Sequence, residues 1–177
     1  MPDIDHTAIS ARLAAGDLGN TAEKGAALEA VVAETFCQLD GVGVIKRNII
    51  DNAGSLEIDI LLYNQRHPIG LPFLPNHLII ECKNWQAAVN SATLTVFTGK
   101  LHKFRVDFGI LVAANGITGD PNDRTAAHAH LRSVYDRDGR IVIVVTRAEL
   151  EALRTTEDLG SLIREKYGDS IMGADQF

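Results

Sequence analysis

Residues 77–84, His-Leu-Ile-Ile-Glu-Cys-Lys-Asn, place an acid and a base in the pattern of a β-strand. Because strand side chains alternate between two faces, Glu81 and Lys83 share one face and Cys82 points to the other. A carboxylate and an ammonium on an otherwise apolar strand carry a desolvation cost that core packing does not require. The pair is therefore a candidate catalytic site, and an ion pair on a solvated edge strand is the alternative interpretation.

A second acid, Asp59, lies on the preceding predicted strand, residues 55–63. Strict alternation puts Glu57 and Asp59 on one face of this strand and places Ile58, Ile60 and Leu62 together on the other. Leu61 continues the face of Asp59, so Asp59 lies where the strand enters a core and needs a partner or a metal ion. The two strands can pair as an antiparallel hairpin with a long connection.

Composition and charge narrow the possible classes of protein. The chain has 177 residues, 46% hydrophobic and 23% charged, which suits one well-buried domain. No apolar run approaches the roughly 20 residues of a membrane span, and the acidic start of the chain is unlike a signal peptide. The net charge of −6 argues against broad charge-driven binding of nucleic acid but leaves room for a local basic groove. Cys37 and Cys82 are predicted to be core residues rather than a disulfide, so we expect a cytoplasmic location.

The predicted elements alternate between helix and strand along the chain. Helical periodicity covers residues 21–39, 91–104 and 147–167, and a further helix starts at Asp120-Pro121. Strand patterns cover residues 42–50, 55–63, 77–83, 107–114 and 141–145. We expect an α/β fold in which a central mixed β-sheet is flanked by α-helices. Residues 1–20 are predicted to be a loosely docked N-terminal arm, and residues 21–177 a single domain.

Asp59 followed by Glu81-Cys82-Lys83 resembles the motif of the PD-(D/E)xK nuclease superfamily, and the surrounding text is most similar to its restriction-endonuclease-like, Mrr-type branch. The resemblance covers most of the chain and implies a restriction-endonuclease-like core. In that superfamily the first core helix carries a glutamate that joins the metal site. Residues 24–29 resemble that helix, so the resemblance implies this role for Glu29, with a solvated helix glutamate as the alternative.

The resemblance implies a Mg²⁺-dependent endonuclease, with Mn²⁺ as a substitute ion. Asp59 and Glu81 would hold the ion, supported by the backbone carbonyl of Cys82 and by Glu29 directly or through water. Lys83 would orient the attacking water and offset negative charge in the transition state. DNA is the implied substrate, in restriction, defence or repair, with RNA and a homodimer left open and no membrane partner expected.

Two other functions compete with this interpretation. A nucleic-acid-binding module of the same fold with a decayed nuclease site is one, and the complete set of Glu29, Asp59, Glu81 and Lys83 weighs against it. A phosphohydrolase acting on small substrates is the other, but the sequence has no phosphate-binding glycine loop or aspartyl nucleophile motif.

Two residues outside the motif could contact a substrate. Trp85, the only tryptophan, is expected to pack under the following helix rather than stack on a nucleobase. Lys100 is a secondary candidate for a phosphate contact, because the pattern places it neither on the core stripe nor clearly facing the site.

Overall fold

A five-stranded mixed sheet forms the centre of the molecule. The computed structural model describes residues 2–50, 54, 56–119 and 127–172. Most of residues 51–54, whose residue types are typical of a turn, and the predicted helix start at Asp120-Pro121 lie outside the described residues. The strands are β1 (Val42–Ile50), β2 (Glu57–Asn64), β3 (His77–Lys83), β4 (Phe108–Ala113) and β5 (Ile141–Val145), in that spatial order. Strands β1, β2 and β3 are antiparallel, and β3, β4 and β5 are parallel. The predicted mixed sheet is confirmed.

Helices cover both faces of this sheet. They are α1 (His6–Asp17), α2 (Thr21–Phe36), α3 (Ser91–Phe104), α4 (Ala127–Asp138), α5 (Arg147–Ala152) and α6 (Thr156–Met172). One core cluster joins α1, α2, α5 and α6 to the sheet, and a second cluster joins α3 and α4 to it. The α/β layering expected from the sequence is therefore confirmed.

The start of α2 is fixed by a capping box, and a separate hydrogen bond joins this helix to the end of β3. The Asn20 side chain accepts hydrogen bonds from the N–H groups of Ala22 and Glu23, and the Glu23 carboxylate accepts one from the N–H of Asn20. Asn20 is thus the N-cap of α2. Farther along, Asn84 Nδ2 donates to the carbonyl of Lys24 at 3.0 Å and joins the end of β3 to this helix.

Helix α1 packs against α2, whereas the sequence predicts a loosely docked arm. Leu13 is completely buried, and Ile9 belongs to the same core cluster. A Cβ atom on Gly16 would lie 2.5 Å from that of Ala27, so glycine is needed where the two helices approach most closely. Gly16 therefore lies in the last turn of α1, at the contact with α2, and the helix ends at Asp17.

Candidate active site

The pairing of β2 with β3 brings Asp59 to the backbone of the acid-base strand. Ile60 of β2 pairs with Ile80 of β3 in an antiparallel ladder. Asp59, the residue before Ile60, therefore lies at the level of Glu81, the residue after Ile80. The N–H of Cys82 then donates to Asp59 Oδ2 at 2.7 Å. A side-chain carboxylate thus accepts the hydrogen bond of a β3 backbone group at the end of the β2–β3 ladder, which fixes the orientation of Asp59.

The backbone of β1 is irregular at the same level. Asn48 has φ of 49°, and it lies between residues of β1 that pair with Ile58 and Ile60, hence opposite Asp59. Asparagine is among the few residue types that tolerate this left-handed conformation. Ile58 packs in the cluster of α3 and α4, whereas Ile60 belongs to the cluster of α2. The prediction that these two isoleucines share one face is therefore wrong, because the strand does not alternate regularly through Asp59.

Glu81 is buried and holds two ammonium groups. Its side chain accepts a hydrogen bond from Lys83 Nζ at Oε1, 2.8 Å away, which agrees with the predicted shared face. Lys100 Nζ donates to both carboxylate oxygens, at 2.8 Å to Oε1 and 2.6 Å to Oε2. Strand β3 is the middle strand of the sheet, so the alternative of a solvated edge-strand ion pair is wrong.

Lys100 is the site residue that sequence reasoning undervalued. It lies on α3 and is only 6% exposed. A signal was present in the sequence, because Phe97, Lys100, Leu101 and Phe104 have the i, i+3, i+4, i+7 spacing of one helix face. A lysine within a face that packs against a sheet needs a buried carboxylate. Glu81 is that carboxylate.

The electrostatics of Asp59 reflect its buried position beside a second acid. Burial, with a further contribution from the charge of Glu81, raises the pKa of Asp59 from 3.8 to about 6. The N–H of Cys82 and the charge of Lys83 oppose this shift, and Glu29 adds to it. A carboxylate with such a pKa is destabilised when it ionises, and a bound cation would relieve that cost.

The two neighbours of Asp59 on β3 have different electrostatic states. Burial alone would lower the pKa of Lys83, but the charge of Glu81 and its hydrogen bond to Lys83 raise that pKa overall. Lys83 is therefore a stable ammonium. Burial raises the pKa of the Cys82 thiol well above its usual value, so the thiol stays protonated and is not a nucleophile.

Glu29 lies near this group without joining it directly. Its carboxylate lies 3.5 Å from Arg47 Nη2, and its charge contributes to raising the pKa of Asp59. Among the described residues, no group of three or more His, Cys, Asp or Glu side chains is arranged to hold a metal ion. Glu29 thus pairs with Arg47, and Glu81 pairs with two lysines. The carboxylates of Glu29, Asp59 and Glu81 do not converge on one position.

Trp85 lies at the surface beside Lys83. It is 40% exposed, and its ring centroid is 5.9 Å from Lys83 Nζ. Asn115 Nδ2 donates to the Trp85 carbonyl at 2.6 Å and fixes the backbone of this loop. The prediction that Trp85 packs under α3 is wrong, since its side chain is exposed beside the Lys83 ammonium.

A mixed five-stranded sheet between helices is the core of a restriction-endonuclease-like nuclease domain. The family model described as restriction endonuclease, Mrr_cat, matches residues 21–153, and the chain belongs to this family. The resemblance inferred from the Asp59 and Glu81-Cys82-Lys83 motifs is confirmed at the level of the family. No curated protein matches the chain. Within the described ranges, no helix is long and apolar enough to cross a membrane.

Proposed function

We propose that the protein is a divalent-metal-dependent endonuclease that hydrolyses phosphodiester bonds in DNA. The observation that supports this most is the meeting of Asp59, Glu81 and Lys83 at the end of β3, in a chain that the restriction endonuclease family matches over residues 21–153. Roles in DNA restriction, defence or repair all fit such an activity. The free thiols of Cys37, which is exposed rather than buried as predicted, and of Cys82 suit a cytoplasmic protein.

The donor atoms at this site are of the type that a hard divalent cation binds, although the described residues include no ready-made group of three such side chains. Carboxylate and carbonyl oxygens are the ligands of Mg²⁺, and Mn²⁺ accepts the same set. Glu81 already binds positive charge with both oxygens, and Asp59 is held beside it by the N–H of Cys82. Asp59, Glu81 and the backbone carbonyl of Cys82 would hold the ion, with Glu29 acting directly or through water. When bound, the cation would supply an activated water and positive charge at the phosphate.

Lys83 is the lysine of the site that can act on a substrate. Its side chain is 20% exposed and lies beside exposed Trp85, whereas the side chain of Lys100 is 7% exposed. An ammonium at the mouth of the site can orient a water molecule and offset charge that develops on the phosphate oxygens. Lys83 is thus the proposed catalytic lysine.

The charge of the protein predicts that DNA approaches this site only when a cation is present. The chain has a net charge of −6, so unscreened phosphate is repelled on average. Cleavage of both strands of a duplex needs two sites, and a homodimer is the arrangement we propose for that reaction. RNA is the second substrate to be tested alongside DNA.

A panel of nucleic acids tests the proposed function directly. The native protein is incubated with supercoiled plasmid, linear duplex, branched DNA and RNA, each with Mg²⁺, Mn²⁺ or EDTA. We expect DNA strand breaks with either ion and none with EDTA. Asp59→Asn should lose cleavage, and the matched variant Glu57→Gln, which changes an exposed acid on the same strand, should retain it.

Other outcomes of this panel have definite meanings. DNA binding without cleavage under every condition would identify the decayed binding module instead. Cleavage of RNA alone would replace the proposed substrate. Full cleavage by Asp59→Asn would show that the reaction occurs at another site.

A further inference from the structure

The ammonium of Lys100 occupies the place on Glu81 that a cation would take. It lies 2.8 Å and 2.6 Å from the two carboxylate oxygens, so one positive centre bridges both. Lys83 contacts Oε1 alone. A carboxylate that binds a single cation through two oxygens has the arrangement of a bidentate ligand.

The contact between Lys100 and Glu81 lies in the protein core and is not a surface ion pair. Lys100 is 6% exposed and Glu81 is 4% exposed, so both charges are removed from water. Buried charges of this kind persist only when they are paired with good geometry. Helix α3 fixes the lysine through its neighbours Phe97 and Leu101, which are buried against the sheet.

We propose that Lys100 is a positioning residue that holds the Glu81 carboxylate in place while the metal is absent, and that the metal ion displaces the Lys100 ammonium from Glu81. This inference rests on the proposed function, because it concerns the same metal site. Oε1 of Glu81 accepts hydrogen bonds from both Lys83 and Lys100, and Oε2 accepts one from Lys100. A divalent cation that binds both oxygens therefore needs the positions that the Lys100 ammonium occupies, and the contact between Lys100 and Glu81 must then break.

The consequence is a metal affinity lower than the carboxylates alone would give. Lys100 competes for Glu81, and its positive charge repels the incoming ion. Lys83 also contacts Glu81, but its more exposed ammonium can move toward solvent or substrate. Buried Lys100 has less freedom to move away, so its charge should oppose the ion more strongly.

Binding of Mn²⁺ to the intact protein, measured by calorimetry, tests this inference without any substrate. Lys100→Met keeps most of the side-chain volume and removes the charge. The substitution removes the ammonium that competes for Glu81 and, with it, a nearby positive charge that repels the ion. We therefore expect the dissociation constant for Mn²⁺ to fall about tenfold or more. Lys103→Met, which changes an exposed lysine on the same helix, should leave that constant unchanged.

Fluorescence shows where the ion binds in the same titration. Trp85 is the only tryptophan, and it lies beside Lys83, so quenching of its emission by paramagnetic Mn²⁺ reports binding at this site. Lys100→Gln provides a second variant if Lys100→Met does not fold, because the amide can still donate one hydrogen bond to Glu81. The expected change in affinity has the same direction.

The outcomes separate this inference from the proposed function. Tighter Mn²⁺ binding in the Lys100 variants supports the inference, including the case in which only the variants bind detectably. Native-like or weaker binding in the variants would overturn it and leave Lys100 as a structural counter-ion, while the nuclease proposal would stand on cleavage by the native protein. If neither the native protein nor the variants bind Mn²⁺, the inference and the metal-dependent function both fail.

Discussion

Replacement of Lys83 by methionine should reduce DNA cleavage by about a hundredfold to a thousandfold, which is the range observed when one donor that stabilises transition-state charge is removed. The fold should persist, because Glu81 retains both hydrogen bonds from Lys100 and the Lys83 side chain is partly exposed. Divalent-ion binding should persist as well, since Lys83 is not a proposed ligand. The measurement is the single-turnover rate at saturating Mg²⁺, accompanied by thermal melts.

A matched lysine controls for a general loss of positive charge. Lys103→Met changes an exposed lysine of α3 and should cleave at the native rate. A Lys83→Met variant that binds the metal, folds normally and cleaves at nearly the native rate would remove Lys83 from the mechanism.

Asp59→Asn should stabilise the metal-free protein, and the gain should grow with pH. The pKa of Asp59 is about 6 in the folded protein, against 3.8 as the ordinary value. The folded state therefore binds this proton more tightly, and ionisation of Asp59 costs stability as the pH rises from about 4 through 6. At about 1.4 kcal/mol per pKa unit, the full cost above pH 6 is about 3 kcal/mol. Asparagine does not ionise and avoids this cost.

Urea unfolding of the metal-free proteins at pH 4.5 and pH 7.5 measures this effect. The stability of Asp59→Asn relative to the native protein should increase by about 2 kcal/mol between these pH values. Any change in the hydrogen bond from the Cys82 N–H adds a constant at both pH values and does not affect the difference. Glu57→Gln, with its exposed acid, serves as the control and should show no comparable increase.

A bound metal ion should make the native protein more stable than Asp59→Asn, the reverse of the order expected without metal. Mg²⁺ or Mn²⁺ at a hundred times its dissociation constant should stabilise the native protein by about 2.7 kcal/mol. Asp59→Asn should lose most of that gain, because a hard cation needs its anionic ligand. Strong destabilisation of the variant, with no dependence on pH, would instead make Asp59 a structural acid. An equal gain from metal in both proteins would place the ion elsewhere.

The sheet and the acid-base strand were predictable because their signals are local. The apolar run before Glu81 and the alternation at Lys83 fix a buried strand, whatever packs against it. The irregularity at Asp59 was not predictable, because it depends on Asn48 of the neighbouring strand and on a hydrogen bond to the backbone of Cys82. Such features require knowledge of which strands pair and in what register.

The partners of the acids were harder to predict for the same reason. Lys100 contacts Glu81 from a helix 19 residues farther along, and Arg47 reaches Glu29 from an exposed edge strand. Sequence spacing gives the face of each helix but not the element that lies opposite it. The docking of α1 likewise depends on a close contact between Gly16 and Ala27, which periodicity does not reveal.

The central claim is that Asp59 and Glu81 share one catalytic cation. Anomalous diffraction from crystals of the intact protein grown with Mn²⁺ tests it most directly. We expect one manganese peak within about 2.0–2.3 Å of a carboxylate oxygen of Asp59 and of Glu81, with the Lys100 ammonium moved away from Glu81. Lys100 still bridging both oxygens of Glu81 at saturating Mn²⁺ would contradict only the displacement proposed for that lysine. Crystals with Mn²⁺ bound elsewhere would contradict the central claim.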